Sequence, residues 1–282
     1  MKKTFWILLI LSQIAFCREI IIVSIPMQQE FMQKIVGSQY EVISLVKPGI
    51  NPHDFEPKFS DIKKLNDASA YFCIGIEFET IWLERFKAQN KTMKIYDNSL
   101  GITKINFAHS HQENNPKHMH EEGDTHIWLS PQNAKQIATN IYNALKELNP
   151  NQDYTDTYQA LLAEINQTDT QLKKILNSLP EHQKFVVFHP MLGYFARDYH
   201  LEEVAIEIEG KSPKIQEMIS VIETIKNNNL KIIFAQPEFS TKAAEFIAKE
   251  SGAQLGFFSP LQTPWSESLL KFAKTLRNYT LK

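Results

Sequence analysis

The chain has 282 residues, room for two modest domains. Its 43% hydrophobic and 22% charged residues match a folded globular protein and exclude a disordered chain. A formal net charge of −2, with neither a basic stripe nor an acidic tail, excludes the usual nucleic-acid binder.

Lys2 and Lys3 precede the apolar run Phe5–Leu11, which continues with two polar interruptions to Phe16. A charged start followed by an apolar run shorter than the roughly 20 residues of a bilayer span predicts a signal peptide over residues 1–17 and export of the mature chain. Cleavage after Cys17 leaves Ala15 and Cys17 at the positions that want small residues, with a mature chain from Arg18. Lipid anchoring at Cys17 is the alternative, and the bulky Phe16 before it disfavours that route. Cys17 and Cys73 are the only cysteines, so losing Cys17 removes any intramolecular disulfide. Cys73 lies in the apolar run Ala70–Ile74 and reads as a small buried hydrophobe.

In chain order, Ile20–Val23 reads as a strand, and Pro26–Val36 as a helix with Phe31, Ile35 and Val36 on one face, stopped by Gly37. Val42–Val46, Ala70–Ile74 and Met93–Tyr96 are further strands. Ser130 and Pro131 open a helix whose apolar stripe runs Ala134, Ile137, Ala138, Ile141, Leu145, Leu148. Asp153–Leu179 is a long helical pattern without Gly or Pro, near the middle of the chain. The rhythm then restarts. Phe185–Phe188 is a strand, followed by a helix from Ser212-Pro213 with Ile215, Met218, Ile219, Ile222 and Ile225 on one face. Ile232–Phe234 is a strand, Thr241–Glu250 a helix closed by Gly252, Gln254–Phe258 the last strand, and a final helix starts near Pro264. Alternating strands and helices predict an α/β fold of two βα lobes with parallel sheets, joined by one long rigid helix. The expected division is an N-terminal lobe over 18–150, a linker helix over 151–180 and a C-terminal lobe over 181–282.

Five histidines lie outside the low-complexity stretch: His53, His126, His182, His189 and His200. Three of them follow strands or precede helix starts. His53 comes after the Val42–Val46 strand, His126 just before Ser130-Pro131, and His189 directly after Phe188. Loops at the carboxyl ends of parallel strands face a common crevice. A site using all three would lie between the lobes. Three neutral imidazoles suit zinc, copper, nickel or iron; calcium and magnesium want oxygen. The stretch 107–125 adds His109, His111, His118 and His120 among polar residues, and reads either as a solvated insertion or as an accessory metal-collecting loop.

Several longer motifs carry a resemblance. Pro52-His-Asp-Phe-Glu-Pro57, Asp124-Thr-His-Ile-Trp-Leu-Ser-Pro131 and Phe188-His-Pro-Met-Leu-Gly-Tyr-Phe195 resemble the three ligand motifs of the zinc and manganese solute-binding proteins of ABC transporters. Ile233-Phe-Ala-Gln-Pro-Glu-Phe-Ser240 and Phe258-Ser-Pro-Leu261 follow in the expected order, and the match covers nearly the whole mature chain. The resemblance implies a metal ion between two lobes, His53, His126 and His189 as ligands, no enzymatic activity, and a membrane permease as partner. Histidine in the third ligand motif, and the His-rich insertion, imply Zn(II) as the bound ion. Ser259 stands where many relatives have an aspartate, so the fourth ligand is open between water, Glu207, Glu209, Asp124 and the loop histidines; three histidines plus water is the expectation. A manganese or iron carrier is the alternative within the family. A surface adhesin with a structural metal, or a zinc hydrolase, are the alternatives outside it. The chain is expected to be a monomer.

Overall fold

In the computed structural model, residues 18–106, 123–207 and 213–281 are described. The most apolar runs become the central strands. β1 (Glu19–Val23) lies between β2 (Tyr40–Ser44) and β3 (Ala68–Cys73), with β4 (Lys94–Asp97) beyond, in the order β2-β1-β3-β4. The second sheet repeats the pattern. β5 (Lys184–Val187) lies between β6 (Glu202–Ala205) and β7 (Ile232–Ala235), with β8 (Gln254–Phe257) at the edge, in the order β6-β5-β7-β8. Every pairing is parallel. A strand covered on both faces needs apolar residues at every position, as Ile21–Val23 and Phe185–Val187 supply. Edge strands β4 and β8 are only partly buried and carry mixed sequences. In β8, Gly256 is closely approached: a Cβ there would lie 2.8 Å from Ile232 Cδ1, and that side chain would have to shift.

The helices follow their signals. α1 (Pro26–Val36) starts at the proline and ends at Gly37, whose φ is 58°. α2 (Phe59–Asp67) and α3 (Glu77–Gln89) link the next strands; both lie outside the expected elements. A turn of 3-10 helix at Ile127–Leu129 leads into α4 (Pro131–Leu148), where the Ser130 hydroxyl accepts from Asn133 N–H at 3.2 Å, as the cap reading requires. α5 (Thr155–Leu176) is the long helix, 22 residues and about 33 Å. The C-terminal lobe adds α6 (Gly193–Asp198), α7 (Ile215–Asn227), α8 (Lys242–Ser251) and α9 (Trp265–Thr280). The face expected of α7 is shifted. Met218, Val221, Ile222 and Ile225 pack inward, whereas Ile215 is 70% and Ile219 43% exposed, because both sit on the flank of that face. Among the described residues no helix is long and apolar enough to cross a membrane.

One apolar core runs through both lobes. It takes in β1 and β3, the inner faces of α1, α4, α5 and α9, and the inward residues Phe185, Val187 and Phe234 of the second sheet. Alternate residues of the same strands, Val186 and Ile233, point to the far face and form a separate cluster with Val221, Ile225 and Ile247. Two tryptophans tie the lobes at the centre. Trp128 Nε1–H donates to Pro260 O at 2.8 Å, and Trp265 Nε1–H donates to Trp128 O at 2.8 Å. Trp265 also meets Phe31 of α1 edge-on, with ring centroids 5.5 Å apart. Cys73 is buried as expected, and burial pushes its thiol well above the usual range. These contacts hold the carboxyl ends of the two sheets in one fixed relation.

Candidate metal centre

His53 lies in the loop between β2 and α2, where Asn51 Oδ1 accepts the His53 N–H at 3.1 Å and fixes the turn. Its ring Nδ1 is 2.8 Å from Oε2 of Glu77, the first residue of α3 after β3. The other Glu77 oxygen accepts from Thr125 Oγ1 at 3.1 Å, so one carboxylate links the loops of the first and second histidines.

His126 is held within its own turn. Asp124 Oδ1 accepts both the backbone N–H of His126, at 2.8 Å, and its ring Nδ1–H, at 2.9 Å. Both side chains are 1% exposed. His189 follows β5, and Gln236 grips its peptide from both sides: Oε1 accepts His189 N–H at 3.1 Å and Nε2 donates to His189 O at 2.8 Å. The ring Nδ1 lies 3.0 Å from Oε2 of Glu207, and Phe239 stacks on the ring face at 4.7 Å and 19°.

The three rings form a nearly even triangle, with centroids 5.1 Å (His53–His126), 4.7 Å (His53–His189) and 5.3 Å (His126–His189) apart. One ring nitrogen from each lies within 4.8 Å of the other two. Nδ1 of every ring is engaged by a carboxylate, which sets the proton there and presents Nε2 as the lone pair. The Nε2 atoms of His53 and His189 are buried and have no hydrogen-bond partner among the described residues. A buried nitrogen acceptor left unmatched is costly unless something else takes its lone pair. A divalent transition metal is such a group, and this donor set fits it.

The electrostatics divide the three. Burial, reinforced by the charge of His53, drives His126 down to about 3 despite the opposing Glu77. Burial also takes His189 down to about 4, against the hydrogen bond that its ring donates to Glu207. Both are therefore neutral at neutral pH. Burial pulls His53 down too, but its hydrogen bond with Glu77 and the charges of Glu77, Glu207 and Asp54 outweigh it, and the net shift is upward. The partner moves the other way. Burial would raise Glu77, yet the hydrogen bond and charge of His53 take it to about 2. Burial lifts Asp124 to about 7 against the His126 N–H that it accepts; a cation on the far side of that ring would favour its ionised form.

The structure thus brings together the three histidines singled out in the sequence. It gives Asp124 and Glu207 a different task from the fourth-ligand role considered for them, since each is spent on the Nδ1 of a histidine. The Ser259 hydroxyl donates to Glu238 and accepts from Leu261 N–H at 3.2 Å. Among the described residues no fourth His, Cys, Asp or Glu joins the group. His109, His111, His118, His120 and Glu209 lie outside the described residues. His182 and His200 are elsewhere, at the amino ends of β5 and β6. Glu77 went unnoticed in the sequence. Its signal was available: an acidic residue at the carboxyl end of a strand, the same position that singles out the histidines.

Comparison with known proteins gives a consistent answer. Residues 21–280 match the family model ZnuA, described as zinc-uptake complex component A, periplasmic. The zinc-binding protein AdcA of Streptococcus pyogenes is 30% identical over 251 residues, covering 83% of this chain and 48% of its own length, so the chain spans about half of that relative. The iron-binding protein YfeA of Yersinia pestis is 31% identical over 81% of this chain and 72% of its own length. A crystal structure of a ZnuA deletion mutant with zinc bound superposes with a TM-score of 0.85 at 42% identity, covering 93% of this chain and 98% of that one. With the family model matched over nearly all of the described residues, the chain belongs to the ZnuA family of metal solute-binding proteins.

Proposed function

We propose that the chain captures Zn(II) between its lobes through Nε2 of His53, His126 and His189, and passes the ion to the membrane permease of an ABC-type importer. The observation that carries this reading is the repeated pair: three converging imidazoles, each with Nδ1 on its own carboxylate, Glu77, Asp124 or Glu207. Such outer partners fix the tautomer and raise the basicity of the ligating nitrogen. The ion is cargo, so nothing need be turned over, and the family is one of transport components rather than enzymes. Three imidazole nitrogens as the protein donors favour Zn(II) over Mn(II), which prefers oxygen. Water completes the fourth position in this reading, as Ser259 is occupied by Glu238.

Around this site, residues 1–17 direct export and the mature chain starts near Arg18; mass spectrometry of the mature N-terminus tests this, and an acylated Cys17 would contradict it. The lobes are residues 18–150 and 181–282, joined through 151–180. Because they share a core, a single calorimetric unfolding transition is expected. The histidines of 107–125 act as an accessory collector of metal. Deleting residues 108–122 should slow zinc transfer when zinc is scarce, and unchanged rates would make the stretch passive.

The test of the main proposal is competitive loading. Metal-free protein is given limiting, equal Zn(II) and Mn(II), dialysed, and its retained ions are counted beside the His189→Ala variant. About one tightly held zinc per chain, lost in the variant, is expected. Preferential manganese, or zinc held equally by the variant, would overturn the assignment of metal or site.

A further inference from the structure

His126 and His189 come from different lobes, so their separation depends on whatever joins the lobes beside them. At that place two chain segments meet: Asp124 N–H donates to Ile105 O at 2.7 Å, pairing the residues that flank 107–122. Tyr194, on α6 of the other lobe, closes over the pair. Its hydroxyl donates to Asp124 O at 2.6 Å and accepts from Ile105 N–H at 3.3 Å. The tyrosine is fully buried. Gly193 permits the approach, since a Cβ there would lie 3.1 Å from Asp124 Oδ2 and 3.2 Å from Ile105 Cδ1. The segment leading from His189 to this contact is itself pinned. The N–H groups of Met191 and Leu192 donate to the buried Glu203 Oε1 at 3.1 and 2.8 Å.

We propose that Tyr194 is a positioning residue for metal capture: a clasp between lobes that sets His126 against His189 by holding Asp124. The inference rests on the reading of these histidines as ligands. The link from Tyr194 to the site runs through Asp124. The tyrosine fixes the Asp124 backbone, and the Asp124 carboxylate in turn holds both the N–H and the Nδ1–H of His126. Without the hydroxyl, Asp124 O and Ile105 N–H lose a shared partner in a buried place, and Asp124 can turn, taking the imidazole off the common point. A tyrosine that merely fills space would affect stability without moving the ligand field of a bound ion.

The experiment compares Tyr194→Phe, which removes only the hydroxyl, with Val221→Ala in the separate core cluster on the far face of the second sheet. Zinc affinity is read by competition with a chromophoric chelator, and the site geometry by the visible absorption of the Co(II)-loaded protein. Tyr194→Phe should raise the zinc Kd about tenfold, the low end for outer partners of a metal ligand, and shift the Co(II) bands. Val221→Ala should lower Tm and leave both readings alone. The clasp is refuted if Tyr194→Phe leaves Kd and the Co(II) spectrum unchanged, or if Val221→Ala moves them as much. His126→Ala separates the two levels of the reading. Affinity lost there but kept in Tyr194→Phe removes only the clasp, whereas wild-type affinity in His126→Ala removes the site on which it depends.

Discussion

The two lobes share one strand order and put different chemistry on it. After the first strand of each, the N-terminal lobe has the buried Ser24 and the C-terminal lobe has His189. After the second strand stand His53 in one and Glu207 in the other; after the third, Glu77 in one and Phe239 in the other. The first lobe supplies two histidines with both their carboxylates, the second a single histidine–glutamate pair and an aromatic wall. Equivalent loops therefore carry a converging imidazole, its carboxylate partner or a packing surface according to what the opposite loop provides. Among the described residues the converging imidazoles come two from the first lobe and one from the second, which makes the junction between the lobes part of the proposed site.

The sharpest way to break the comparison is to take away the one histidine that the second lobe contributes to the proposed site. His189→Ala removes one of three donors; a third of the roughly 10–16 kcal/mol typical of a structural zinc site is about 3–5 kcal/mol, a hundredfold or more in Kd. Chelator competition measures it. A loss as small as that from an outer carboxylate would mean that the ion does not sit across the lobes.

Next come the carboxylates. Glu77→Gln and Glu207→Gln each should raise the zinc Kd about 10- to 100-fold, because the amide no longer holds its imidazole as an ionised acceptor. The two differ in their pH behaviour. A protonated imidazole cannot ligate, and His53, raised by Glu77, keeps its proton to a higher pH than His126 or His189. Zinc affinity of the wild type should thus fall as pH drops through a value above the ordinary histidine figure of about 6.5. In Glu77→Gln burial acts on His53 with its largest opponent gone, so the acid limb should move to lower pH. In Glu207→Gln the limb should stay nearer that of the wild type. Isothermal titrations between pH 5 and 8 distinguish the two, and an identical shift in both variants would refute the assignment of the acid limb to His53.

The smallest expected effect on affinity lies farthest from the junction. Ile247→Ala, in the far-face cluster of the second lobe, should cost about 2–5 kcal/mol of stability and leave zinc affinity unchanged. Denaturant unfolding of the metal-free protein gives the first quantity and chelator competition the second.

Much of this was legible in the sequence because strand ends leave strong marks. The apolar runs Ile20–Val23 and Phe185–Phe188 are long enough to be central strands, and the histidines beyond strand ends stand out as residues that a core would not place there. The helices α2 and α3 were harder to see, since α2 buries only Leu65, and an amphipathic pattern needs more than one inward residue to show. The exposed flank of α7 shows the reverse case: Ile215 and Ile219 fit a 3.6-residue stripe, but the face that packs is centred on Met218, Val221 and Ile225. The roles of Asp124 and Glu207 were hidden for another reason. A carboxylate near a histidine in sequence reads equally as metal ligand or imidazole partner, and only the distance to Nδ1 separates the two.

The most direct measurement is a crystal structure of the protein loaded with one equivalent of Zn(II), with anomalous data collected on both sides of the zinc edge. The account predicts one strong peak between the lobes, about 2.0–2.1 Å from Nε2 of His53, His126 and His189, with each Nδ1 still on its carboxylate. A peak coordinated through Nδ1, bound by Glu77, Asp124 or Glu207 in place of a histidine, or found only at residues 107–122, would contradict it.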